Sequence, residues 1–246
     1  MPVVGRWAHS RDIWAPGVAR IGRRYALYYS APARRHGKHC IGVATSGRPT
    51  GPFVDRAASP VVCWSERNGS IDPFPYVDGG LPYLLWKTEG VAGRGEPTRL
   101  WSQRLTLDGL HLRDRPSELL HTALAWEQPI IENPAMFERD GRYYLMYSAG
   151  RWWTSDYATG YAVCRSPLGR CTRLPTAPLL WSWGSEAGTG GASVTNDVDG
   201  DALVLYHAWT TPHVGYPSGR RSLRIAEVQV TPSGRLWAKT RRRARY

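Results

Sequence analysis

The sequence predicts an all-β chain built as a β-propeller, on three observations. A hairpin motif recurs about every 60 residues, with turn glycines at Gly22, Gly80, Gly141 and Gly200. The 19 Pro and 26 Gly are spread along the chain, which suits many short strands joined by turns. No stretch carries an amphipathic helical pattern of useful length.

The third repeat shows the motif most fully. Residues 130–150 contain an acid beside an Asn-Pro corner, a turn at Asp140-Gly141, and a strand of alternating aromatic and aliphatic residues. An Asp-Gly pair between apolar alternations is a strong hairpin signal. The segments 19–31, 76–88 and 196–208 repeat it, each with a Gly-containing turn and an aromatic strand. A third strand follows in each repeat, at 41–46, 98–105, 161–166 and 222–230, and precedes a further turn and a short outer strand. Four such four-stranded units are blades whose radial packing hides their edges. The repeat is longer than the ~40–50 residues of common propeller repeats. A pair of β-sandwiches is the fold alternative, against which the period argues. We place the blades at about 14–56, 70–117, 130–173 and 190–237 of a single domain over 1–246, with 1–13 as the remnant of a preceding blade and 238–246 as a basic tail.

Composition narrows the function. The net charge of +12 invites a nucleic-acid reading. The basic residues are dispersed through turns, however, and the one dense run, Arg241–Arg245, is terminal, so no nucleic-acid partner is expected. No apolar stretch approaches the roughly 20 residues of a membrane span, and the first residues lack the pattern of a signal peptide. Twelve Trp and thirteen Tyr against three Phe suit half-buried strands and also clefts where rings stack on sugars. None of the four cysteines has Cys-x-x-Cys spacing, which argues against zinc. Cys40–Cys63 and Cys164–Cys171 are the preferred disulfides, and they imply an oxidising compartment. Four free thiols are the alternative.

Just upstream of each hairpin lie Trp14-Ala-Pro-Gly-Val, Ser70-Ile-Asp-Pro-Phe, Ile131-Glu-Asn-Pro-Ala and Gly190-Gly-Ala-Ser-Val. Two of these four places, read as equivalent, carry a carboxylate: Asp72 and Glu132. Inner strands of blades converge on a central channel, so different blades deliver acids to one cleft. Paired carboxylates in an aromatic groove are the equipment of glycoside hydrolysis. Asp-Pro and Asn-Pro are also ordinary turn openers.

On the phrases Trp14–Ser30, Ile41–Phe53, Ser70–Pro73, Glu132–Met136 and Leu205–Pro217, in that order, the chain resembles glycoside hydrolase family 43. The resemblance implies a five-bladed β-propeller, of which four blades and a stub are present here. It also implies inverting cleavage of arabinose- or xylose-containing polysaccharides or oligosaccharides, with an arabinose-directed activity favoured. Glu132 is then the general acid, which must stay protonated at the working pH. Asp72 is the third carboxylate, which sustains that state and orients the acid. His207 matches the family's channel histidine, which supports calcium or another ion through water, although the chemistry itself needs no cofactor. Trp14 and Trp153 are candidate sugar-stacking positions, and Arg221 is a candidate polar contact to substrate.

The family's general base, an Asp early in the first blade, is absent, and Asp12 does not take its place. An inverting hydrolase needs that base. The expectation is a start placed downstream of the first blade and of a secretion signal, a chain poorly active as it stands, and a secreted, monomeric parent protein. A non-catalytic sugar-binding propeller is the alternative function.

Overall fold

The computed structural model describes residues 3–90 and 94–240. They form four antiparallel sheets, each a propeller blade, with short 3-10 segments at Ser65–Arg67 and Ala125–Glu127 between strands. Among the described residues, no helix is long and apolar enough to cross a membrane. The chain divides into two compact units, Met1–His121 with Arg165–Arg170 and Thr122–Cys164 with Cys171–Tyr246.

Unit 1 contains the first two sheets. The first comprises β1 (Trp14–Ile21), β2 (Arg24–Pro32) and β3 (His39–Ser46). Its expected fourth strand is reduced to a bridge between Thr45 and Val54. The preceding Gly51-Pro52 explains this, because proline has no N–H to give a ladder. The second sheet runs β4 (Ser70–Asp78), β5 (Leu81–Thr88), β6 (Arg99–Leu105) and β7 (Leu112–His121). Tyr28, Ile41 and Val43 pack with Leu84, Trp86 and Trp101 in the core of the unit. Each apolar side chain buried in this way contributes about 1.5–3 kcal/mol.

Three of the residues read as a remnant make contacts within unit 1. Val3 bridges Val54, Ala8 bridges Ala33, and Trp7 is buried with its ring stacked on Tyr29.

Unit 2 contains β8 (Ile131–Arg139), β9 (Arg142–Ala149), β10 (Ala158–Cys164) and β11 (Cys171–Thr172) in one sheet. The other is β12 (Glu186–Asn196), β13 (Ala202–Thr210), β14 (Arg221–Val230) and β15 (Leu236–Thr240). The Asp140-Gly141 turn has both residues at positive φ, 53° and 73°, and Arg139 pairs with Arg142. That is the two-residue hairpin loop expected of Asp-Gly. Strand β15 takes Ala238–Thr240 from the segment read as a basic tail, whose remaining residues, 241–246, lie outside those described.

One arrangement recurs in both units. In unit 1, Tyr29 donates to Asp55 at 2.6 Å and stacks on Trp7, and the absent Cβ of Gly42 leaves room for both rings. In unit 2, Tyr147 donates to Glu127 at 2.6 Å and stacks on Trp126, over Gly160. Glu127 is fully buried and also receives Arg173 in a two-pronged ion pair, 2.5 and 2.9 Å, with the N–H groups of Ala123 and Leu124. A buried carboxylate needs such a set of partners. Both disulfides are formed, Cys40–Cys63 in unit 1 and Cys164–Cys171 in unit 2.

Candidate active site

Each sheet's first strand carries a bulge at the place where the sequence put its candidate residues. The ladders slip between Trp14 and Gly17, Ile71 and Phe74, Glu132 and Ala135, and Gly190 and Ser193. Within each slip one residue is left-handed: Ala15 (φ 45°), Asp72 (54°), Asn133 (53°) and Gly191 (65°). A bulge bends its strand and re-aims side chains. Asp, Asn and Gly tolerate this conformation better than most residues.

The register corrects one expectation. Asp72 and Glu132 do not occupy equivalent places. Asp72 corresponds to Asn133, while Glu132, paired with Ser148, corresponds to Ile71, paired with Lys87. Sequence comparison missed this because Pro follows Asp72 directly and Glu132 after one residue.

The bulges are pinned by the same bond in both units. The Asp72 N–H donates to Ser30 Oγ at 3.2 Å, and the Gly191 N–H donates to Ser148 Oγ at 2.9 Å. In unit 2, Asn133 Nδ2 adds a bond to the Ala192 carbonyl at 2.8 Å. Glu132 therefore projects from a doubly tied corner.

Glu132, His207 and Arg221 come together in unit 2 through a residue that sequence reasoning did not select. The Tyr157 hydroxyl donates to Glu132 Oε1 at 2.7 Å. Its ring lies parallel to that of His207, with centroids 5.9 Å apart and an interplanar angle of 11°. His207 reaches this place because it pairs with Gly190 across the ladder. The glycine pair makes the room. A Cβ on Gly190 would lie 2.0 Å from Tyr157 Cε1, and one on Gly191 would lie 2.6 Å from His207 Cδ2.

Arg221 Nη1 lies 3.2 Å from His207 Nε2. A guanidinium can only donate, so Nε2 accepts and the imidazole proton is assigned to Nδ1. Nδ1 is buried and has no hydrogen-bond partner among the described residues. Burial, and then the Arg221 charge, push His207 down to about 4, against a smaller opposing pull from Glu132. It is neutral at pH 7. Three rings surround the guanidinium, those of Trp209, Trp152 and Tyr216, at 5.3, 5.5 and 5.8 Å. Tyr216 is 63% exposed, which gives the cluster an open aromatic edge.

These residues do not fit the ion expected at His207. Its one ring lone pair is taken by a cation, and a metal ion there would face a fixed positive charge. The group His36, Cys40 and Cys63 brings three donor atoms within 4.8 Å, but its two sulfurs are joined to each other.

Trp153 meets Trp152 edge to face and is 43% exposed. In unit 1, Trp14 stacks on His39 at 3.7 Å, and His39 Nε2 lies 3.0 Å from the Asp12 carbonyl. Tyr216 falls inside the Gly-Tyr-Pro phrase and could have been singled out from it. Tyr157 and Trp152 stand in a loop with no motif of their own.

What such a set can do is donate a proton from a fixed carboxyl beside a neutral imidazole and an aromatic-walled cation. Comparison with known proteins supplies the context. The family model for "Glycosyl hydrolases family 43" matches residues 4–236. The chain belongs to that family.

Its family 43 relatives include the Beta-D-galactofuranosidase xynD of Aspergillus niger, 27% identical over 82% of this chain. The chain spans 58% of that protein's length. A Probable arabinan endo-1,5-alpha-L-arabinosidase A of Aspergillus flavus is 27% identical, over 85% of this chain and 68% of its own length. Among solved structures, a thermostable family-43 glycoside hydrolase superposes with a TM-score of 0.85 at 27% identity, covering 97% of this chain and 78% of that one.

Proposed function

We propose that this family 43 chain acts as an inverting glycoside hydrolase on arabinose- or xylose-containing plant polysaccharides or oligosaccharides. Arabinose-directed activity is the favoured form. Glu132 is its general acid, and Asp72 is the carboxylate that supports it. The observation that carries this reading is the placement of Glu132 on a doubly tied bulge, hydrogen-bonded to a buried tyrosine, in a chain of this family.

The names of the relatives favour furanose rings, since one is called a galactofuranosidase and others arabinan-cleaving enzymes. Arg221 and Tyr216 offer the sugar a donor and an exposed ring, and Trp153 and Trp14 are the other proposed stacking positions. Inversion needs a second carboxylate that activates water on the opposite face of the sugar. No described residue is assigned that part. Secretion fits the two disulfides, and the protein is proposed to act as a monomer.

The test is hydrolysis of aryl α-L-arabinofuranoside, aryl β-D-xyloside, aryl β-D-galactofuranoside and linear arabinan by this chain and by a form extended with any upstream sequence. Glu132→Gln should lower the rate about 10²–10⁴-fold on substrates with poor leaving groups. Binding of arabino-oligosaccharide without cleavage by either form, with Glu132→Gln changing nothing, would leave a sugar-binding propeller instead.

A further inference from the structure

Resting on the reading of Glu132 as proton donor, we propose that Tyr157 is the positioning residue that decides which oxygen of the Glu132 carboxyl carries the transferable proton. The Tyr157 hydroxyl donates to Oε1 at 2.7 Å. An oxygen that accepts this bond is the carbonyl oxygen of a protonated carboxyl, so the acidic hydrogen sits on Oε2. In the proton-transfer step the Oε2–H bond breaks and a new O–H bond forms to the leaving oxygen. The electron pair stays on the carboxylate. The negative charge then spreads to Oε1, where the tyrosine bond becomes charge-assisted and strengthens. A bond that tightens as charge develops favours the transition state over the ground state.

The seat of Tyr157 is rigid enough for this. The side chain is 3% exposed. His207 covers one face of its ring, and Gly190 lies so close that a methyl group there would overlap the ring edge. Its residue leads directly into β10, whose first pair is Ala158 with Ala149. Glu132 pairs with Ser148, one residue before Ala149, so donor and acceptor are held by adjoining ladder positions of one sheet. The glycine pair thus acts on Glu132 at one remove, by admitting the tyrosine.

Tyr157→Phe keeps the ring and its stacking while removing the donor, so thermal unfolding should stay close to that of the parent. The first readout is independent of turnover. With glutamate carboxyls labelled with carbon-13, and the Glu132 signal assigned from Glu132→Gln, the pH at which that signal moves should lie higher in Tyr157→Phe than in the parent. A hydrogen bond donated to a carboxylate favours its ionised form, and the variant has lost it. The second readout is the rate on substrates with poor leaving groups, which should fall about tenfold to a hundredfold, with little loss on a dinitrophenyl glycoside that needs no acid. An unmoved Glu132 titration in Tyr157→Phe overturns the proposal even where Glu132→Gln abolishes hydrolysis. If the titration moves but Glu132→Gln hydrolyses normally, the Tyr157 contact stands and the proton-donor reading fails.

Discussion

The Arg221 guanidinium lies 3.2 Å from Nε2 of His207, and that contact decides how the histidine behaves. It fixes the tautomer, opposes protonation, and sets a positive charge where an ion was expected. Three aromatic faces hold the guanidinium, so it is not free to swing away as a surface arginine is.

Arg221→Gln should therefore raise the pH at which His207 titrates, from about 4 towards its ordinary value of 6.5. Imidazole proton shifts followed by NMR would show it. Because burial is the larger cause, the return should be partial. No change would mean that the arginine plays no electrostatic part.

The same contact predicts metal independence. Millimolar calcium, or a chelator, should leave the melting temperature where it is. A rise of several degrees on adding calcium would show that the arginine yields to an ion.

His207 also makes stability depend on pH. Its folded value is lowered to about 4 against 6.5 unfolded, so between these limits the unfolded chain binds more protons. Its contribution is complete above pH 6.5 and is lost as pH falls through 4, on the order of 3 kcal/mol in all. Denaturant unfolding at pH 7 and pH 4.5 would measure this, and His207→Asn should flatten the difference. A variant as acid-sensitive as the parent would place the effect elsewhere.

Gly190→Ala would put a methyl carbon 2.0 Å from Tyr157 Cε1. The ring or the strand must move, at a cost of about 1–3 kcal/mol. Thermal unfolding would report the cost. The hydrolysis rate should fall by more than global unfolding accounts for, because the displaced ring carries the Glu132 contact. Gly79→Ala is a control in open space, although its own left-handed backbone adds strain.

Away from the site, Arg173→Met should be among the most damaging single changes in unit 2. It leaves the fully buried Glu127 with the Tyr147 hydroxyl and two backbone N–H groups but no counter-charge. Breaking such a pair costs about 3–5 kcal/mol. Replacing both partners by apolar residues should recover part of the loss. A double variant as unstable as the single one would show that the remaining bonds to Glu127 dominate.

The sequence by itself determined the strands, their turns and their grouping into blades, because these depend on local patterns. Asp140-Gly141 dictates a two-residue loop wherever it stands between apolar alternations. The paired cysteines lie near one another in the chain, and both pairs are bonded as expected. Glu132 could be chosen from the sequence only as a candidate, as a carboxylate beside an Asn-Pro corner at the start of a hairpin. Tertiary structure alone decided what surrounds it. Bulges offset Asp72 and Glu132 by one residue, and a period-of-two pattern hides such a slip. Tyr157 meets Glu132 across 25 positions, and Arg221 meets His207 across 14, with nothing in the intervening residues to mark either contact. Those contacts depend on two adjacent glycines whose lack of side chains has meaning only once a ring and an imidazole are packed against them.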